Sequence, residues 1–220
     1  MMRVDVQFEE ALACVLPLDL PHRDRLIDKA AQHLQLVAAA NESMNLTRIT
    51  CPTEAAIKHI FDSVAPWQHF RDAARILDAG SGAGFPGIPL SIVLPEIRFT
   101  LAESIQKKAR FLDATVESLE LPNVHVVAQR AEERAAAGRP DIITARALAP
   151  VHRIIDLFRK ELKRGAQLIL YKGPDAEREL AETPTKGVHA EIICRYQLPN
   201  DLGTRTVVVI RAQRAARAAL

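Results

Sequence analysis

Residues 76–90 read ILDAGSGAGFPGIPL. Four of the chain's nine glycines fall in this stretch, directly after a short apolar run. An apolar strand that ends in a glycine-rich turn and continues into a helix opens a βαβ unit, and the glycines mark where backbone comes close to a bound molecule. Three uses of such a turn are separable by spacing. A phosphate-cradling loop needs GxxxxGK and then Ser or Thr; Gly82 and Gly87 have the interval, but Ile88 and Pro89 follow. The dinucleotide fingerprint GxGxxG needs glycine at 85, where Phe85 stands. What remains is an acidic residue closing the strand and glycines at alternate positions: Asp78, Gly80, Gly82, Gly84. Pro86 suits the first turn of the helix that follows, where a missing N–H costs nothing.

Outward from this turn the chain changes texture. Downstream, short apolar runs (RILDA, IRFTLAE, VHVVAQ, DIITARA, AQLILYK) alternate with helical segments such as KKARFLDATVESLEL and VHRIIDLFRKELKR. That alternation specifies an α/β fold with a mostly parallel sheet and helices on both faces. The last two candidate strands, HAEIICRYQL and TRTVVVIRAQ, have no clear helix between them and pair as a hairpin, making one strand antiparallel. Upstream, residues 6–16, 22–41 and 52–65 carry apolar positions at three- and four-residue spacing and read as three helices, punctuated by Pro17, Pro21 and Pro52. Residues 1–70 are therefore expected to form a helical extension and residues 71–220 the ligand-binding domain.

With 220 residues and 48% hydrophobic content, the chain is long enough for one sizeable core. Cys14, Cys51 and Cys194 stand far apart, so neither a disulfide framework nor a metal cluster is expected. No apolar run approaches a membrane span, and the acidic N-terminus does not read as a signal peptide, so a cytoplasmic protein is expected. The net charge of +2 is uneven: residues 1–74 sum to about −3 and residues 75–220 to about +5. That surplus alone does not specify a polyanionic partner.

The DxGxGxG pattern after a first strand resembles motif I of class I S-adenosylmethionine-dependent methyltransferases. LDAGSGAGFPGIPLSIVLPE, ESIQKKARFL, RAEE, DIITARALAP and YKG, with MNLTRIT and HIFDS upstream, together resemble the RsmG (GidB) family, which methylates N7 of a guanine in 16S ribosomal RNA. Residues 1–20 and the basic tail after 211 match nothing in it. The resemblance implies a Rossmann-like, seven-stranded methyltransferase fold, S-adenosylmethionine as cofactor, and 16S rRNA or the small ribosomal subunit as partner, with no metal and a monomeric protein. It implies that Gly80, Phe85, Ala131, Glu132 and Arg146 contact the cofactor. For the cofactor this resemblance implies, Asp78 suits the ammonium group, Gly82 and Gly84 allow close approach, and Glu103, at the end of the second strand, suits the ribose hydroxyls.

Each assignment has a structural competitor. Phe85 equally reads as core, and Arg146 as the partner of a salt bridge to Asp78 or Glu132. Asn45, Arg48, His59, Asp62, Ser63 and Lys172 are candidate substrate contacts; His59, Asp62 and Ser63 share a helical face that either lines the cleft or braces the extension. Lys107, Lys108, Arg110, Arg130, Arg134 and Arg153 are candidates to border the cleft and meet RNA. No acid or base is assigned, because guanine N7 carries a free lone pair and no proton. The alternatives are a methyltransferase for another substrate, a catalytically silent cofactor-binding assembly protein and, third, an NAD oxidoreductase.

Overall fold

A computed structural model describes residues 4–213; residues 1–3 and the basic tail from 214 lie outside the described residues. Seven strands form one sheet: β1 Arg75–Ala79, β2 Arg98–Ala102, β3 Val124–Val127, β4 Ile142–Arg146, β5 Gln167–Lys172, β6 Val188–Gln197 and β7 Thr204–Ala212. Their order is β3-β2-β1-β4-β5-β7-β6. Every pairing is parallel except those of β7, which runs antiparallel to both β5 and β6. The hairpin expected at the end of the chain supplies this reversal. Strand order reverses between β1 and β4, so their carboxyl ends frame the crevice where open α/β sheets bind ligands.

Alternation along the strands gives each face its own core. One face carries Ile76, Phe99, Ile169, Val207 and Val209; the other carries Leu77, Ile143, Leu168, Leu170, Val208 and Ile210. On the first face lie α1 Val4–Val15, α2 Arg23–Met44 and α3 (Pro52–Ala55, Ala56–Phe61 and Asp62–Val64 in one run), together with α4 Gly87–Val93 and α5 Gln106–Ser118. The second face is covered by α6 Ala131–Gly138, α7 Val151–Leu157, α8 Arg159–Lys163 and α9 Ala176–Ala181. The three upstream helices thus match the periodicity within a few residues. Their buried side chains, among them Leu12, Leu26, Leu34 and Ile60, merge with sheet residues in one continuous core.

Two local features depart from expectation. Pro86 precedes α4 in the N-cap position, so Gly87 opens the helix. The middle of α3, Ala56–Phe61, is π-helical: Asp62 N–H donates to Ile57 O, five residues back. Periodicity cannot reveal that extra residue per turn, because it shifts the face by less than the width of the apolar stripe.

Candidate functional site

The glycine turn is anchored to β2. Gly80 and Ser81 N–H both donate to Ala102 O, at 2.9 and 3.2 Å. Gly82 N–H donates to Glu103 Oε2 at 3.1 Å, and Ile105 N–H to Glu103 Oε1 at 2.8 Å, so this buried carboxylate ties the turn to the segment after β2. A carboxylate has about four acceptor directions, and these bonds use two of them. Gly80, Gly82 and Gly84 have φ of 73°, 59° and 98°, the left-handed region that side chains disfavour. At Gly82 an added Cβ meets nothing nearer than 3.9 Å; this is the open side of the turn. A Cβ at Gly80 would reach 2.7 Å from Leu148, which follows β4.

Asp78 lies beneath the turn, 1% exposed. Its Oδ2 accepts from Gly87 N–H at 3.0 Å, and its Oδ1 has no hydrogen-bond partner. Burial pushes its carboxyl up to about 6, against the opposing pull of the Gly87 N–H, Ser81 and the Arg146 charge. At neutral pH the group is ionised and keeps one buried oxygen without a hydrogen-bond partner beneath the turn. The last glycine of GFPG is steric: a Cβ on Gly87 would sit on Leu101 Cδ2 and 2.6 Å from Asp78 Oδ2.

Phe85 is the hub that joins turn and helices. Its ring stacks on His59 with centroids 4.5 Å apart and meets His33 at 4.6 Å, while the Arg146 guanidinium carbon lies 5.5 Å from its centroid. His33 Nε2 hydrogen-bonds Ala83 O at 2.8 Å, and His59 Nε2 shares a 2.9 Å bond with Thr47 Oγ1. Burial lowers His33 to about 4; burial and then the Arg146 charge lower His59 to about 3. Both rings are therefore neutral at pH 7.

Arg146 is paired, though not with Asp78 or Glu132. Its Nη1 donates to Asp62 Oδ2 at 3.1 Å and to Lys58 O at 3.0 Å, a carbonyl of the π-helical turn. Asp62, 1% exposed, also accepts from Arg205 Nε at 3.3 Å and from Tyr196 OH at 3.0 Å. One buried carboxylate thus holds two guanidiniums that remain partly exposed at a recess of about 380 Å³, which Lys58, His59 and Lys172 also line. Sequence reasoning missed Arg205, Tyr196 and His33. The first two arrive from the β6–β7 hairpin, and no local pattern marks them; His33 carries a weak signal, an ionisable side chain on the buried stripe of α2.

The other candidates are placed as follows. Lys172 Nζ donates to Ala149 O and Glu179 Oε1. Ser63 is fully buried, and its hydroxyl donates to His59 O within the helix. Asn45 caps α2 in the left-handed region and, like Arg48, is exposed beside the buried network. Ala131 and Glu132 open α6, after β3. Arg134, expected at the cleft, lies one turn into α6 and extends its guanidinium along the helix to Gly138, so that it lines a recess with Arg75 and Arg98 at the opposite, amino-terminal edge of the sheet. Among the described residues no group of three or more His, Cys, Asp and Glu is placed to hold a metal, and no helix is long and apolar enough to cross a membrane.

Comparison with known proteins bears on the same region. Residues 26–198 match the family described as GidB, rRNA small subunit methyltransferase G. A ribosomal RNA small subunit methyltransferase G of Solibacter usitatus is 54% identical over 208 residues, 93% of this chain and 99% of the relative. One of the same name from Carboxydothermus hydrogenoformans is 36% identical, covering 82% and 80%. Among solved structures, cofactor-bound Rv0187 from MTB superposes with a TM-score of 0.57 at 18% identity, over 91% of this chain and all of that one, a likeness of fold.

Proposed function

The chain belongs to the rRNA small subunit methyltransferase G (GidB) family, and we propose that it transfers a methyl group from S-adenosylmethionine to N7 of a guanine in 16S ribosomal RNA. The observation that carries the cofactor reading is the pairing of an open glycine turn with a buried, ionised Asp78 whose Oδ1 is unused. An NAD oxidoreductase has no use for that carboxylate, and it lacks the third glycine of its fingerprint here.

When bound, S-adenosylmethionine supplies a sulfonium-activated methyl carbon. Asp78 Oδ1 receives the ammonium, the free acceptor directions of Glu103 receive ribose hydroxyls, and Gly80, Gly82 and Gly84 let the backbone come close. Ala131 and Glu132, at the start of α6, border the adenine. Phe85, locked between two neutral imidazoles, fixes the far end of the turn, and Arg146, held by Asp62, faces the reacting groups. Guanine N7 needs no deprotonation, so the chain's task is alignment and exclusion of water, a contribution on the order of 7–11 kcal/mol when geometry is good. Lys172, His59, Asn45 and Arg48 border the path of the RNA, and Asp62 and Ser63 brace it from below. Residues 1–70 serve as the helical extension over the cofactor domain, 71–220. The setting is the cytoplasm and the acting unit a monomer.

The test is methyl transfer from radiolabelled S-adenosylmethionine to small ribosomal subunits from a strain lacking this protein, followed by mapping of the modified base. Label at a single guanine, released as 7-methylguanine, is the expected result. Label in protein, or none in RNA, would overturn the assignment.

A further inference from the structure

The edge of the sheet opposite the cofactor turn carries a basic surface that the chemistry does not use. The amino-terminal ends of β1 and β2 begin with Arg75 and Arg98; Arg139 follows the last residue of α6, and Arg134, one turn into that helix, extends its guanidinium to Gly138 at the same end. Arg75, Arg98 and Arg134, with His125, line a recess of about 340 Å³ that contains no acidic residue. A second recess of about 760 Å³ adjoins it, sharing Arg75 and Pro140 and adding Arg139, Arg164 and Arg211. This one contains Asp72, Asp141 and Glu161. The acids neutralise only part of the edge. Arg75 pairs with Asp141 at 3.5 Å, Arg164 with Glu161 at 3.6 Å and Arg211 with Glu191 at 2.6 Å, whereas Arg98, Arg134 and Arg139 form no ion pair among the described residues. Arg134 Nε is buried without a hydrogen-bond partner. Arg139 is held by the left-handed end of α6, with its residue exposed.

An ordinary solvated face mixes charges of both signs and is convex. Here the smaller hollow is lined by three guanidiniums and no acid, and the larger one beside it adds Arg139 among side chains of both signs; guanidiniums suit the bidentate geometry of phosphate oxygens. The strands alone separate this edge from the catalytic one by ~15 Å. An RNA segment lying in the cofactor crevice therefore does not reach it without wrapping the protein; a second segment of a large folded RNA does.

We propose that this amino-terminal edge is a second RNA-contacting surface, which grips the phosphate backbone of a distant segment of the rRNA. The proposal rests on the rRNA reading above and adds to it that the enzyme is held from two sides. The surface contributes to docking and not to the chemical step.

The test compares wild type with an Arg98→Gln/Arg134→Gln/Arg139→Gln variant and with the matching Arg→Lys triple variant. With unmethylated small subunits or their full-length rRNA, the Gln variant is expected to show KM raised about fivefold or more at 0.15 M salt. Its log affinity against log salt should be shallower by about 2–3, the loss of three phosphate contacts. Its kcat and its affinity for S-adenosylhomocysteine should match wild type, and the Lys variant should recover most of the salt slope. If the triple Gln variant does not fold, Arg98→Gln/Arg139→Gln, both at exposed positions, should show about two-thirds of the change in slope. A wild-type KM and salt slope in the Gln variant would overturn the proposal, as would a fall in kcat or cofactor affinity in step with KM. Wild-type protein that methylates neither substrate would instead sink the rRNA reading, and this proposal with it.

Discussion

Gly82 and Gly87 lie five residues apart and answer to different constraints. At Gly82 a methyl group projects into open space on the side proposed for the cofactor. Gly82→Ala should therefore cost about 1 kcal/mol of stability, the price of a left-handed alanine, yet weaken S-adenosylhomocysteine binding by tenfold or more in calorimetry. At Gly87 the methyl group strikes Leu101 and Asp78. Gly87→Ala should cost about 1–3 kcal/mol in chemical denaturation by overpacking. Asp78 links the same loop to pH. Its carboxyl is raised to about 6, so below that value the group is neutral in the free protein and gives up its attraction for an ammonium. Affinity for the cofactor product should accordingly fall as pH drops from 7.5 to 5.5, and in Asp78→Asn it should be weak and flat over that range. Asp62→Asn is expected to cost about 3 kcal/mol, since two guanidiniums lose their common counter-charge. Arg146→Ala should be milder because Arg205 and Tyr196 still satisfy Asp62; activity in that variant should drop while its fold persists.

At the scale of elements, the contact between α2, α3 and the glycine turn is made by two neutral histidines around Phe85. Unfolded, each takes a proton near pH 6.5; folded, they resist until about 4 and 3. Stability therefore falls as pH drops through this window, by about 1.4 kcal/mol per pH unit for each ring. Asp78 opposes one of them between about 6 and 3.8, where the folded chain is the one that takes up a proton first. The net loss between pH 6 and 4 should be about 1.4 kcal/mol per unit, read from denaturation midpoints, and replacing His59 by Phe should largely flatten it. The turn itself was legible from Asp78 and the spaced glycines, because close backbone approach leaves a local mark. So were the strands, through their runs and breaks, and the antiparallel hairpin, through a missing crossover helix. The π-helical turn of α3 was not, and with it went the true partner of Arg146. A carboxylate at 62 meeting arginines at 146 and 205 depends on three elements converging, which spacing along the chain does not encode.

Over the whole molecule, the site proposed for the chemistry lies at the carboxyl edge of the sheet, where β1 and β4 diverge, and a guanidinium-rich recess lies at the opposite edge. The positive surplus of residues 75–220 did not by itself specify a polyanion or place the charges: Arg130 and Arg134 are one helical turn apart in sequence, yet Arg134 runs its side chain along α6 into the recess at the amino-terminal edge. The family match spans both the helical and the sheet regions, residues 26–198. The claim on which the rest depends is that the turn after β1 receives an adenosyl-sulfur compound, and calorimetry tests it directly. Titration of S-adenosylhomocysteine into the protein should give saturable one-to-one binding that Gly82→Ala weakens at least tenfold. No heat from that compound, with saturation of the same crevice by a pyridine dinucleotide, would contradict it.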